Sequence, residues 1–75
     1  MIVTMIRLKN IQKNGDIIRC DYYVEDGVVP FPISVNYVTE TIIEGTGNYT
    51  QHALYKLLRL AKLDNPPTEA YHLWY

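Results

Sequence analysis

The chain has almost no cysteine, since Cys20 is its only one. An intramolecular disulfide is therefore impossible, and a reducing, intracellular setting is the expectation. Long apolar runs are also lacking. Arg7 and Lys9 interrupt the apolar start of the chain well before the roughly 20 residues that a membrane crossing needs. We therefore expect a cytoplasmic protein with neither a signal peptide nor a membrane contact.

Cations are missing from residues 21–48, where every charged side chain is acidic. The basic residues gather instead in the segments 1–20 and 49–75, so the net charge of −1 conceals an acidic middle between basic ends. Such a pattern either orients a partner or balances charge between neighbouring strands. With a sequence pI near 6.0, the chain lacks the strong basic excess of a dedicated nucleic-acid binder.

The length of 75 residues predicts a single domain over residues 1–75. A domain of this size buries only about 60% of its unfolded surface, so its stability is expected to be marginal. The hydrophobic content of 48% is nevertheless ample for a packed core and argues against disorder.

Alternating residues flank the dipeptide Asn14-Gly15, which predicts a type I′ turn between two strands, Met1–Ile11 and Asp16–Val24. A second turn at 25–27 and a third strand over Val28–Asn36 follow. Its two prolines, at positions 30 and 32, fit if that strand starts irregularly or lies at an edge. The alternation places one apolar row on the core face of the hairpin: Ile6, Leu8, Ile18, Cys20 and Tyr22.

The connection 37–40 then leads into a short fourth strand, Thr41–Glu44. The segment Gly45-Thr46-Gly47 ends the sheet. Asn48 is the expected N-cap of a helix running to about Leu63, with Gln51 completing a capping box. The apolar residues of this helix recur with helical spacing: Ala53, Leu54, Leu57, Leu58 and Ala61.

The aromatic segment Ala70–Tyr75 predicts a last strand. The resulting fold class is α+β, with element order β-β-β-β-α-β. It has a four- or five-stranded antiparallel sheet and one helix packed on one face.

Catalysis and metal binding find little support. Cys20 lies in the apolar row, where a thiol acts as a small buried hydrophobe. His52 and His72 are far apart in sequence, and a metal needs three or four convergent ligands. Gly45–Asn48 before a helix is a weak anion-binding signal, because no P-loop pattern follows. We expect no enzyme activity, no metal, no cofactor and no evident small-molecule substrate.

The sheet face opposite the helix carries the candidate binding residues. Cations beside an aromatic residue suit single-stranded nucleic acid, although Asp21 lies on the same face. Apolar and aromatic side chains beside an arginine are typical of a protein interface, and an exposed edge strand offers a further mode of protein docking. The candidate binding residues are Arg7, Lys9, Arg19 and Tyr23, and Val3, Met5 and Ile17 would add apolar surface.

The hairpin segment 11–23, Tyr49 with His52-Ala53, and the final Trp74-Tyr75 resemble small uncharacterised proteins from prophages and mobile elements of Gram-positive bacteria. The turn at Thr39-Glu40 departs from the Thr-Gly-Glu expected in such proteins. The resemblance implies a phage-associated accessory protein and transfers no functional residues. It also implies a structural cluster linking the helix to the last segment: Tyr49, His52, Trp74 and Tyr75.

The sequence therefore predicts a small non-enzymatic accessory protein that binds another protein or a second copy of itself. The alternative hypothesis is a nucleic-acid-binding module that uses the same face.

Overall fold

A computed structural model describes residues 4–45 and 47–74. Five antiparallel strands form one sheet in the order β4-β3-β2-β1-β5, with one helix, which confirms the predicted α+β class and element order. The elements are β1 (Thr4–Asn14), β2 (Ile17–Val24), β3 (Phe31–Asn36), β4 (Thr41–Gly45), α1 (Thr50–Leu60) and β5 (Glu69–Trp74).

The turn of the first hairpin lies one residue later than predicted. Asn14 pairs with Ile17, so Gly15 and Asp16 are the central residues. Gly15 has a φ of 59°, and Asp16 is not among the residues with positive φ. A positive φ at the first central position alone, filled by glycine, is the signature of a type II′ turn instead of the predicted type I′ turn.

A β-bulge in β1 was not predicted either. The pairing with β2 shifts between Lys9 and Gln12, and Asn10 lies in the left-handed region with a φ of 56°. Asparagine adopts this conformation more readily than most residues. Leu8 and Ile11 are three residues apart and would face opposite sides of a regular strand. Both are buried, because the extra residue of the bulge reverses the alternation between them.

The third strand is shorter than predicted, since β3 begins at Phe31. The positive φ in the preceding connection belongs to Glu25 (51°), and not to Gly27. Pro32 is the second residue of β3, and the pairing with β4 begins one residue later at Ile33. Both prolines therefore lie before or at the start of the strand, where a missing N–H disrupts least.

The helix does not begin as predicted. Its N-cap residue is Tyr49, which makes no side-chain capping hydrogen bond. The prediction of a capping box formed by Asn48 and Gln51 is therefore wrong. The hydroxyl of Thr50 donates instead to the Gly47 carbonyl oxygen at 2.8 Å, which ties the first turn to the loop before it.

Gly47 is required by the close packing of that loop. It has a φ of 94°, and a Cβ there would meet the Tyr22 hydroxyl and the Phe31 ring. Thr46, the residue before it in the predicted break, lies outside the described residues. The loop thus approaches the sheet at a point where no larger residue fits.

The helix ends at Leu60, three residues before the predicted end. The backbone N–H groups of Lys62 and Leu63 donate to carbonyl oxygens three residues earlier, which tightens the last turn. Lys13 then donates from Nζ to the carbonyl oxygens of Ala61 and Leu63 at 2.9 and 3.1 Å. A side chain of β1 thus provides hydrogen bonds to two backbone carbonyl oxygens just after the end of α1.

The core lies between α1 and one face of the sheet, as predicted. The last segment returns to the sheet as β5 and pairs antiparallel with β1, from Thr4 opposite Trp74 to Lys9 opposite Glu69. All five residues of the predicted apolar row are buried, and the helix side contributes Ala53, Leu57, Leu60 and Ala61.

Candidate functional site

The face of the sheet opposite α1 is covered by no element in the described part of the chain. We call it the open face. The neighbours of its residues along each strand point into the core, as the alternating burial of β1 and β2 shows. All four predicted binding residues lie on the open face: Arg7, Lys9, Arg19 and Tyr23.

One row of side chains crosses β2, β1 and β5, the three strands on one side of the sheet. Arg7 of β1 is paired with Tyr23 of β2 on one side and with Tyr71 of β5 on the other. Met5 and Leu73 form the neighbouring pair. Tyr71 and Leu73 are each 58% exposed. These five residues are called the aromatic patch below.

The side chain of Arg7 is held in place. Its Nε donates to the Glu25 carbonyl oxygen at 2.9 Å, and its Nη2 donates to the Gly27 carbonyl oxygen at 2.6 Å. The guanidinium carbon lies 5.2 Å from the centroid of the Tyr23 ring, within range of a cation–π contact. The aromatic patch therefore presents a planar, ordered cation between two tyrosines.

Lys9 belongs to the same cluster but has an acidic residue on each neighbouring strand. Its Nζ lies 5.8 Å from the Tyr23 centroid. It stands opposite Asp21 of β2 and Glu69 of β5. Because cross-strand pairs of opposite charge attract, these carboxylates offset the charge of Lys9 within the sheet.

Arg19 does not join the other three predicted residues. It lies four residues before Tyr23 along β2, a separation of about 13 Å. Its guanidinium donates to Gln12 Oε1 at 3.2 and 3.1 Å. It lines a separate polar hollow of about 180 Å³ beside the bulge, together with Asp21 and Glu44.

The predicted apolar contribution to this face is only partly correct. Met5 belongs to the aromatic patch, but Ile17 lies at the far end of β2, and Val3 falls outside the described residues. Tyr71 and Leu73 of β5, which were not among the predicted residues, supply further surface beside Met5 and Arg7. The alternation of the last segment was visible in the sequence, but only the pairing of β5 with β1 brings these side chains beside the rest of the patch.

Cys20 is a buried residue of the core. Burial, followed by the charge of Asp21, raises the pKa of its thiol from 9.0 to about 12. A thiol needs a lowered pKa to act as a nucleophile at neutral pH, so this environment suits packing and not reactivity.

The two histidines belong to an aromatic cluster between α1 and β5. The His52 ring stacks on Trp74 with centroids 3.6 Å apart, and His72 lies 5.5 Å from His52. Tyr49 contacts Trp74 at a centroid distance of 5.3 Å. Three members of the predicted cluster are therefore in contact, while Tyr75 is outside the described residues.

Within residues 4–45 and 47–74, no group of three or more metal-binding side chains converges. Across the same ranges, no helix has both the length and the apolar character that spanning a bilayer would need. No protein-family model, curated protein or solved structure was found to match the chain.

Proposed function

We propose that this chain is a non-enzymatic protein-interaction module that binds its partner through the aromatic patch. The observation that carries this proposal is the row Tyr23–Arg7–Tyr71 on an uncovered sheet face, bordered by Met5 and Leu73. Tyrosine and arginine are enriched at binding hot spots, and methionine suits adaptable apolar contacts. Because two carbonyl groups already hold the Arg7 guanidinium, less side-chain entropy is lost on binding.

The phage-type origin inferred from the resemblance is part of this proposal, as a cytoplasmic accessory protein of a phage or mobile element. The proposal covers two kinds of partner, another protein and a second copy of the chain. Both would meet the same patch.

The charge of the open face argues against the nucleic-acid alternative. A face with no excess of cations releases few counterions from a phosphate backbone. Arg7 also lies against the Tyr23 ring, so a base that stacks on that side of the ring would have to displace the guanidinium. The cations Arg7, Lys9 and Arg19 share the open face with three carboxylates, those of Asp21, Glu44 and Glu69.

Photo-crosslinking in the protein's native cells tests the proposal. A photoreactive phenylalanine analogue is introduced at Tyr71, and at Ile43 as a matched control. The two side chains are both 58% exposed and lie on the opposite edge strands β5 and β4. We expect a discrete crosslinked species from position 71 and none from position 43.

Experiments on the purified chain distinguish binding to a second copy from binding to another protein. If the crosslinked species is a homodimer, sedimentation equilibrium detects it, and Leu73→Ser weakens it while Ile43→Ser does not. Equal crosslinking from both positions, or none from position 71 in a folded variant, would contradict the proposal.

A further inference from the structure

A groove lies away from the open face, between the second half of α1 and the β3–β4 turn. Its volume is about 480 Å³, within the usual range of binding pockets. Two tyrosines, a leucine and an alanine supply apolar and aromatic surface, and two cations outnumber one carboxylate. The lining residues are Tyr37, Glu40, Tyr55, Leu58, Arg59, Ala61 and Lys62.

The connection between β2 and β3 is apolar and acidic, which complements the apolar and basic lining of the groove. Val28 and Val29 are 84% and 61% exposed. Glu25 and Asp26, both exposed, precede them, and Pro30 follows. Adjacent exposed valines are unfavourable in water and suitable for docking. We call residues 25–30 the valine loop.

The start of the valine loop is held in one conformation. The N–H of Gly27 donates to the Val24 carbonyl oxygen at 2.8 Å, and Arg7 donates to the carbonyl oxygens of Glu25 and Gly27. These bonds engage backbone groups, and the side chains of Glu25 and Asp26 stay at the surface. A loop ordered before binding loses less entropy when it docks.

The groove and the valine loop lie at opposite ends of the molecule. Tyr37 lies at the end of the sheet where its hydroxyl donates to the Gly15 carbonyl oxygen, whereas the valine loop leaves the other end of β2. The strand between them spans about 26 Å. The longest dimension of the molecule is 37 Å. One chain therefore cannot insert its own loop into its own groove.

We infer that the valine loop of one copy of this chain occupies the groove of the next copy. Charge complementarity selects this occupant, because the two carboxylates of the loop would meet Arg59 and Lys62 while the valines cover the apolar surface. The contact joins two different surfaces, so it forms a closed ring or an open chain of subunits. The valine loop adjoins the aromatic patch, because Arg7 holds the loop backbone, but the groove lies at the other end of the molecule, so the two proposed interfaces bury different side chains.

Two charge-reversal variants of the full chain test the inference. The loop variant Glu25→Lys/Asp26→Lys keeps an intact groove, and the groove variant Arg59→Glu/Lys62→Glu keeps an intact loop. All four side chains are exposed, so both variants should retain the native circular dichroism spectrum. Sedimentation velocity up to about 1 mM detects even weak contacts. We expect the wild type to form dimers and larger species, and each variant to associate at least about tenfold more weakly.

Combining the loop and groove reversals in one chain tests whether the two sets of charges meet each other. A chain carrying all four reversals restores the charge match and should again form assemblies larger than dimers. Val28→Asp in the wild-type background should weaken association without affecting the fold. Ile43→Asp, at an exposed position outside both surfaces, should not weaken it.

Three outcomes would overturn the inference: a wild type that remains monomeric, association that persists in both charge variants, or a four-reversal chain that fails to reassemble. Association lost in Leu73→Ser but in none of these variants would also overturn it, and would assign self-association to the aromatic patch. The charge-reversal variants leave the side chains of the aromatic patch unchanged, and Leu73→Ser leaves those of the loop and groove unchanged, so the two interfaces are judged by separate variants.

Discussion

Asn10 determines which side chains of β1 reach the core. Its left-handed backbone accommodates the extra residue of the bulge, and the side chains after it change face. Ile11 is buried as a result, and Lys13 reaches the end of the helix. The Nδ2 of Asn10 also donates to Asp21 Oδ2 at 3.3 Å.

Replacing Asn10 tests the conformational requirement. Asn10→Gly and Asn10→Ala both remove the hydrogen bond to Asp21, so the difference between them reports the backbone alone. We expect the alanine variant to be less stable by about 1 kcal/mol, because a left-handed conformation is strained for a residue with a Cβ. Urea denaturation measures the difference. Equal stabilities would show that the left-handed conformation is not required at this position.

The buried thiol of Cys20 makes stability depend on pH in alkaline solution. Its pKa rises from 9.0 to about 12 on folding. The unfolded chain therefore loses the thiol proton first, so this contribution is complete below pH 9 and is lost as the pH rises toward 12. In urea denaturation, the wild type should lose stability more steeply over this range than Cys20→Ala. Parallel curves for the two proteins would refute the assignment to the thiol.

At the scale of elements, the sequence predicts the identity of strands and helix better than their ends. Alternation located the core residues of the first hairpin, and helical spacing located α1, because both patterns reflect the burial of one face. The turn position, the bulge and the N-cap were not predicted correctly. Each of these features can be placed at either of two neighbouring residues with similar local preferences. Asn14 and Gly15, for example, both suit the first central position of the turn, so local preference alone does not fix its position.

Lys13 joins β1 to the end of α1, a contact that no sequence pattern indicates. Its ammonium group donates to two carbonyl oxygens there and lies 5.1 Å from the centroid of the Tyr37 ring. Lys13→Met keeps most of the aliphatic chain but removes the donor and the charge. We expect the free energy of unfolding to fall by about 1 to 2 kcal/mol. Thermal and urea denaturation measure the change, with Lys9→Met as the comparison, and an equal effect of both would exclude a specific role at the helix end.

The contact between α1 and β5 should respond to mild acid. Burial, followed by the charges of His52, Lys56 and Arg59, holds the pKa of His72 below its ordinary value of 6.5. The unfolded chain therefore takes up the proton first, so stability decreases as the pH falls through 6.5. Urea denaturation followed by Trp74 fluorescence should show this decrease, and His72→Gln should reduce it. An unchanged pH dependence in that variant would contradict the role of His72.

At the scale of the whole molecule, the location of the candidate site was predictable and its composition was not. Placing Arg7 and Tyr23 on one face required only the period of two along each strand. Placing Tyr71 beside Arg7 required the strand order, in which the last strand pairs with the first. Pairing between distant segments leaves no local signal in a sequence, so periodicity alone could not assemble the aromatic patch.

The separation of charge along the molecule predicts how its two proposed interfaces respond to salt. The groove contact sets Glu25 and Asp26 against Arg59 and Lys62, all of them exposed, so dissolved ions should screen it. The aromatic patch is mainly apolar, and contacts of that kind are little weakened by salt.

Raising sodium chloride from about 0.01 M to about 1 M shortens the Debye length from about 30 Å to about 3 Å. Sedimentation velocity across this range should show the wild-type assemblies dissociating as salt is added, because the charges that join them are screened. The four-reversal chain should dissociate in the same way, since its charges are exchanged but not removed. Association that grows stronger with salt in both proteins would contradict the charge pairing at the groove, because it would show that burial of apolar surface provides the attraction.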